Sequence, residues 1–252
     1  DSYVWRGQRC DDWLLASTLD RLVRDAKVSA SRSTKFRQSH LEQFKFAVRG
    51  RRGSNPPSLE DENSWWALGQ HHGLATPLLD WTTSPFVAAF FAFIDTDEPQ
   101  TTQRAIFALH QPTVVARARA KAREENARRK EQLLQAEKEG KRLGILQRVM
   151  LEAKAEPEVQ FIRPYSDENQ RLVNQGGLFT RAPTGKTLEQ WVQENHDAAD
   201  KGYTLIKVFV PNKDRDGCLR NLNRMNINHL SLFPDLYGAS KFCNLFSEID
   251  KY

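Results

Sequence analysis

Apolar and polar positions along the chain predict short strands scattered among helices. Strand-like patterns of β-branched, aromatic and aliphatic residues occur at Tyr3–Trp5, Leu78–Thr83, Ala105–Leu109, Val159–Ile162, Gln175–Thr180 and Tyr203–Val210. Helical patterns occur within residues 19–23, 29–53, 65–70, 86–93, 167–174, 218–225 and 238–249, and residues 53–64 are typical of a loop. Because no regular strand–helix–strand rhythm is present, we predict a mixed α+β fold in a single domain.

The composition changes between Val115 and Lys154. This segment has twelve Lys or Arg and six Glu, separated mostly by alanine. These residues are strong helix formers, so we predict a long helix that breaks near Gly140 and Gly144. We therefore divide the chain into a core, residues 1–113 and 155–252, and a basic helical insertion, residues 114–154. Three interpretations of the insertion stay open: a solvated helix, a docking surface for a partner protein, and a basic arm for RNA or DNA.

Composition also excludes some classes of protein. No apolar run approaches the roughly 20 residues that span a bilayer, and we find no signal-peptide pattern. Cys10, Cys218 and Cys243 are too far apart for a zinc motif and too few for a disulfide framework. We therefore expect a cytoplasmic protein with no bound metal and no membrane partner. The net charge of +5 and the pI near 9.1 favour an acidic partner such as nucleic acid.

Candidate chemistry is densest between Trp65 and Phe93. After the strand at Leu78–Thr83, Ser84 offers an N-cap oxygen and Pro85 fills the first helical position, so a helix begins here. The N–H groups and partial positive charge at its N-terminus suit a phosphate-bearing ligand. A well-capped core helix that binds nothing explains the same residues.

A second candidate lies in the first strand. Arg6 presents a planar donor fork suited to phosphate or carboxylate. Gly7 permits the close approach of a ligand or of another strand. An ion pair between Arg6 and a core carboxylate such as Asp80 is the alternative interpretation.

Four ordered segments combine aromatic, glycine and polar residues: Trp5–Gln8, Gln70–Leu74 leading to Thr76 and Leu78–Thr82, Arg171 with Gln175–Phe179, and Leu232–Leu236. Together they resemble the FRG domain family, over nearly the entire chain apart from the insertion. Ala75 and Pro77 depart from the family pattern, which has a proline and a basic residue there. The resemblance implies a fold found in bacterial and phage-related proteins, and it says less about chemistry.

A weaker resemblance implies a reaction. Arg6, the run Thr82–Ser84 and Gln175 look, in that order, like the three positions of ADP-ribosyltransferases of the Arg–Ser–Glu type. This similarity implies a split, ADP-ribosyltransferase-like β-core flanked by helices, NAD as a substrate, and catalytic roles for Arg6 and Gln175. We add His71 as a catalytic candidate because the reaction needs a base. The residues expected to bind NAD are Arg6, Gly7, Gln8, Thr76, Asp80, Thr82, Thr83 and Ser84.

The chemistry of this reaction needs two further groups. Breaking the nicotinamide–ribose bond develops positive charge on the sugar, which a carboxylate or amide oxygen must face. Gln175 can orient a ribose hydroxyl but cannot act as a base. His71, His72 and Asp80 are therefore the candidate bases, because histidine titrates near neutral pH.

These observations lead to two hypotheses of different classes. The first is an NAD-dependent ADP-ribosyltransferase that acts as a bacterial toxin or anti-phage defence effector, with RNA as its acceptor and an antitoxin or inhibitor protein as a further partner. The alternative is a non-catalytic module that binds a nucleotide or nucleic acid in a toxin–antitoxin or defence complex. A nuclease is disfavoured, because Asp80, Asp95 and Asp97 form no convincing metal cluster near a histidine.

Overall fold

A computed structural model describes residues 2–51, 57–95, 101–163, 170–197 and 202–252. The strands in these ranges are β1 (Tyr3–Gln8), β2 (Leu78–Thr82), β3 (Gln103–His110), β4 (Gln160–Ile162), β5 (Gly177–Arg181) and β6 (Leu205–Pro211). They form one antiparallel sheet in the order β4-β5-β2-β1-β3-β6. The predicted mixed α+β fold is confirmed.

Helices make up most of the remaining described structure. They are α1 (Thr18–Asp25), α2 (Ala30–Ala47), α3 (Glu62–His71), α4 (Pro85–Phe93), α5 (Gln111–Lys138), α6 (Ile145–Glu152), α7 (Gln170–Asn174), α8 (Leu188–Glu194), α9 (Arg215–Arg224), α10 (His229–Leu232) and α11 (Leu236–Glu248).

The bounds of α2 and α3 differ from the prediction, and α8 and α10 were not predicted. Helix α3 begins at Glu62, inside the predicted loop, because Asp61 caps it by accepting the backbone N–H of Ser64 at 3.0 Å. Helix α2 ends at Ala47 and not near residue 53. Residues 53–56 of the predicted loop and 167–169 of the predicted helix lie outside the described residues.

Alternating strand positions bury the two faces of the sheet against different helices. On one face Val4, Leu79 and Phe107 pack with Val114 of α5 and Trp191 of α8. The other face meets two separate apolar groups, one built by α4 with α9, α10 and α11, and the other by α1, α2 and α3. This second face carries the candidate site.

Gly7 on β1 allows α4 to pack directly on the sheet. A Cβ atom at this position would lie 1.8 Å from the carbonyl oxygen of Ala88 and 2.8 Å from the backbone nitrogen of Ala92. We predicted that Gly7 permits the close approach of a ligand or another strand. It pairs with Ile106 of β3, and the group in closest contact with it is the backbone of α4.

Strands β1 and β2 share fewer paired residues than the other neighbouring strands of the sheet do. Their register has a single pair, Trp5 with Thr82, whereas β1 and β3 are paired along six positions from Tyr3 to Gln8. The sheet is therefore split beside Arg6, and its side chain can enter the gap.

The basic insertion forms a helical hairpin. Helix α5 has 28 residues, about 42 Å at 1.5 Å per residue, and is anchored to the core by buried Val114 and Ala118. Helix α6 folds back along it, and Arg129 of α5 donates to the carbonyl oxygens of Met150 and Ala153 at 3.2 and 2.9 Å. The predicted break near Gly140 and Gly144 is confirmed. Within the described ranges no helix has both the length and the apolarity to cross a bilayer.

The contact between β1 and α4 predicts a large stability effect at Gly7. Gly7→Ala places a methyl group against the helix backbone, and we expect the free energy of unfolding to fall by about 1–3 kcal/mol or more. Gly144→Ala is the control, since nothing lies within 4 Å of its added Cβ, and we expect a change below about 0.5 kcal/mol. Urea unfolding measures both. Equal stabilities of the two variants would contradict the packing described.

Candidate functional site

A cavity of about 430 Å³ opens on the split side of the sheet. Its walls are built by strands β1, β2 and β5, by helices α3, α4 and α7, and by Gln175 and Phe233, which follow α7 and α10. The lining residues are Trp5, Arg6, Gly7, Gln70, His71, Asp80, Trp81, Thr82, Ala88, Phe91, Arg171, Leu172, Gln175, Phe179 and Phe233. Five of them are aromatic, so the cavity offers flat apolar surfaces between polar groups.

Arg6 bridges the gap between β1 and β2. Its Nη1 atom donates to the carbonyl oxygen of Asp80 at 2.7 Å and lies 3.5 Å from the Asp80 carboxylate. Burial lowers the pKa of Arg6, and Asp80 partly offsets that effect. The Nε atom of Arg6 is buried and has no protein partner. Both interpretations of Arg6 therefore apply: it pairs with Asp80, and it lines a cavity.

Asp80 is itself held in place by a second layer of polar side chains. Gln70 donates from Nε2 to a carboxylate oxygen of Asp80 at 2.7 Å. Thr76 donates its hydroxyl to the Gln70 amide oxygen. We predicted that Thr76 binds the cofactor directly, but it is fully buried and does not line the cavity. It orients Gln70, which orients Asp80.

Of the three hydroxyl residues in the run Thr82–Ser84, only Thr82 reaches the cavity. Thr82 lines it and donates to the backbone carbonyl of Gln175 at 2.6 Å. Thr83 is exposed and outside the cavity. Ser84 caps α4 by accepting the Val87 N–H at 3.3 Å, so its oxygen already serves the helix. The N-terminal residues Ser84 and Pro85 do not line the cavity, and α4 contributes its side, through Ala88 and Phe91.

Gln175 is tied to two elements at the end of α7. Its backbone oxygen accepts the hydroxyl of Thr82, and its side-chain Nε2 donates to the carbonyl oxygen of Leu232 at 3.2 Å. Arg6, Thr82 and Gln175, which span 170 positions of the sequence, thus line one cavity.

Gln8 does not join this group. It is 6% exposed, its amide nitrogen makes only a long contact of 3.5 Å to the Leu14 carbonyl, and it is absent from the cavity wall. The prediction that Gln8 binds the cofactor is not supported by its position, because its side chain lies in the core.

His71 at the end of α3 lines the cavity, whereas His72 does not. Burial lowers the pKa of His71, and the neighbouring His72, whose ring centroid is 4.9 Å away, lowers it further. Arg171 acts in the same direction and Asp235 opposes it. The neutral imidazole is therefore favoured at neutral pH, which is the form that accepts a proton.

Arg171 is a lining residue to which we assigned no role from the sequence. Its Nε atom donates to Asp235 at 2.9 Å, and its guanidinium lies over the rings of Phe233 and Tyr237 at 5.5 and 5.3 Å. Arg171 and Asp235 are 64 positions apart, so no local pattern connects them. Both belong to segments that resemble the FRG family, which was the one available signal.

No group of three or more His, Cys, Asp or Glu in the described ranges is arranged to hold a metal ion. Asp97, one of the three aspartates considered for a nuclease, lies outside these ranges.

The electrostatics predict how His71 titrates. Its midpoint should lie below 6.5, the value for a free side chain. Arg171→Gln should raise the pKa of His71, because the charge of Arg171 lowers it. Asp235→Asn should lower the pKa of His71, because the charge of Asp235 raises it. Because the folded-state pKa is the lower one, the stability that His71 contributes is lost as the pH falls below about 6.5.

Proton NMR of the imidazole measures this pKa, and His71→Gln assigns the resonance by removing it. A midpoint above 6.5, or identical midpoints in the wild type and both variants, would contradict the geometry described.

Comparison with known families bears on the first part of the chain. The model of the FRG domain matches residues 1–101, which contain β1, α1, α2, α3, β2 and α4. The segments around Arg171, Gln175 and Leu232–Leu236 lie beyond the matched residues. No curated protein and no solved structure matches the chain. Residues 1–101, which include Arg6 and Asp80 of the split sheet, are therefore similar to the FRG domain.

Proposed function

We propose that the protein is an NAD-dependent ADP-ribosyltransferase that acts as a toxin or defence effector. The supporting observation is that Arg6, Thr82 and Gln175 line one cavity, in the order that resembles the Arg–Ser–Glu type. A volume of about 430 Å³ is within the range of small-molecule sites.

The lining residues suit the steps of this reaction. Aromatic walls such as Trp5 and Phe233 offer stacking surfaces for nicotinamide. As the bond between nicotinamide and ribose breaks, its electron pair leaves with nicotinamide and positive charge develops on the ribose. The Asp80 carboxylate, which accepts a hydrogen bond from Gln70 and lies 3.5 Å from Arg6, supplies the opposite charge in the same cavity.

Completion of the transfer requires a proton acceptor. The acceptor group attacks the ribose carbon, a bond forms between them, and the proton released goes to neutral His71. The amide of Gln175 orients a ribose hydroxyl while its nitrogen stays on Leu232. ADP-ribose is then bonded to the acceptor, and nicotinamide is the second product.

The charge of the helical hairpin supports an RNA acceptor. Twelve Lys or Arg against six Glu between Val115 and Lys154 place a positive surplus on one segment. Glu125 neutralises part of it by pairing with Arg128 and Arg129 at 2.9 and 2.8 Å. A toxic activity also calls for an antitoxin protein, for which the hairpin offers a surface.

Label transfer tests the transferase directly. Incubated with NAD labelled in its adenylate and with total RNA or total protein, the protein should transfer label, most strongly to RNA. Arg6→Ala and Gln175→Ala should each reduce the rate by about 100-fold or more, because both remove groups that position the ribose and Asp80.

Arg181→Ala is the matched control for this assay. Arg181 pairs with Glu62 at 3.4 Å and does not line the cavity, so its loss should leave the rate unchanged. Circular dichroism confirms that each variant folds. Absence of label transfer to any acceptor by the folded wild type would rule out the transferase.

A binding module without catalysis is the second candidate. Two observations favour it: the last position carries the amide of Gln175 and not a glutamate, and the Arg6 guanidinium is already bound to Asp80.

Isothermal titration calorimetry separates these functions. The transferase predicts measurable heat on addition of NAD to the full chain. No heat with NAD, together with tight and salt-dependent binding of RNA, would support the module in its place.

A further inference from the structure

We propose that Arg171 forms the anion-binding part of the cavity and holds the diphosphate of a bound nucleotide, an inference that rests on the proposed use of NAD. The sequence assigned this role to Arg6 and to the N-terminus of α4. Neither fits the structure well, since α4 presents its side to the cavity and Arg6 is engaged elsewhere.

The charge of Arg6 is already balanced. Its Nη1 atom donates to the Asp80 carbonyl at 2.7 Å, and the Asp80 carboxylate lies 3.5 Å away. Arg6 and Asp80 both line the cavity and together contribute no net charge. Burial lowers the pKa of His71, so its neutral form is favoured at neutral pH. Arg171 is then the cation of the lining whose carboxylate partner, Asp235, lies outside the cavity wall.

The Arg171 guanidinium is fixed before any ligand arrives. Its Nε and Nη2 atoms both donate to one carboxylate oxygen of Asp235. The rings of Phe233 and Tyr237 lie 5.5 and 5.3 Å from its central carbon. Among the described residues, the Nη1 atom of Arg171 has no hydrogen-bond partner. The fixed guanidinium therefore keeps one donor group available for a ligand.

Asp235 is held independently of Arg171. As the N-cap of α11, its other oxygen accepts the Gly238 N–H at 3.0 Å. This hydrogen bond and Arg171 both keep the pKa of Asp235 below its ordinary value, so the carboxylate stays ionised. Asp235 does not line the cavity. It therefore orients Arg171 from outside the cavity wall.

A purely structural role explains less of this arrangement. The side chains of Arg171 and Asp235 are 33% and 41% exposed, and ion pairs with that exposure contribute little to stability. Such a pair needs neither aromatic rings on the arginine nor a position in a cavity wall. A preorganised cation facing a cavity suits a diphosphate, whose charge needs a fixed donor fork.

Calorimetry on the full chain tests the proposal with four probes: ADP, inorganic pyrophosphate, adenosine and nicotinamide. We expect Arg171→Gln to weaken the binding of ADP and pyrophosphate by about 10- to 100-fold. Binding of adenosine and nicotinamide, which have no phosphate, should change less than about 2-fold. Arg171→Lys should fall between the wild type and Arg171→Gln for ADP, because lysine keeps the charge and loses the planar fork.

Arg181→Gln is the matched control. Its side chain is 35% exposed, close to the 33% of Arg171, and it also pairs with a carboxylate, but it does not line the cavity. We expect its ADP affinity to equal that of the wild type. Thermal unfolding of each variant shows whether it folds.

Two results would overturn the proposal. In the first, Arg171→Gln binds ADP as tightly as the wild type does. In the second, folded Arg171→Gln loses affinity for ADP and for adenosine to the same extent. The proposed transferase fails separately, through absence of label transfer from NAD. If the protein binds ADP through Arg171 but transfers no label, the proposed diphosphate subsite stands and the proposed transferase activity does not.

Discussion

The hydrogen bond from Arg6 to the Asp80 carbonyl holds together the part of the sheet that the strands leave open. Since β1 and β2 share one register pair, a side chain and not a backbone ladder joins them at this point. The separation exposes polar backbone and side-chain groups beside apolar walls. Tight packing of α4 on Gly7 stabilises the other side of β1, so the opening stays local.

Charge in the cavity follows from that arrangement. Asp80 is held by Arg6 and Gln70, so a carboxylate is kept where a developing positive charge could meet it. Arg171 is held on a different element by Asp235, which lies outside the cavity wall. A carboxylate and a guanidinium at different points of one cavity suit a ligand that has a cationic group at one end and a diphosphate next along its length. NAD has this distribution of charge.

Local signals in the sequence were sufficient for much of the fold. Ser84 and Pro85 predicted the start of α4, and alternating apolar residues predicted the strands, because caps and periodicity depend on near neighbours. The site was only partly predictable. We explained Gly7 by the close approach of a ligand or another strand, because no local sequence signal indicates that α4 packs on it. The partnership of Arg171 with Asp235 depends on tertiary structure, and no spacing in the sequence indicates it.

The most direct test of the central claim is a crystal structure of the chain with ADP-ribose bound. The account predicts that the diphosphate lies within about 3.2 Å of the Arg171 guanidinium, with the terminal ribose facing Asp80 and Gln175. ADP-ribose bound at another surface, or a cavity that stays empty at saturating concentration, would contradict it.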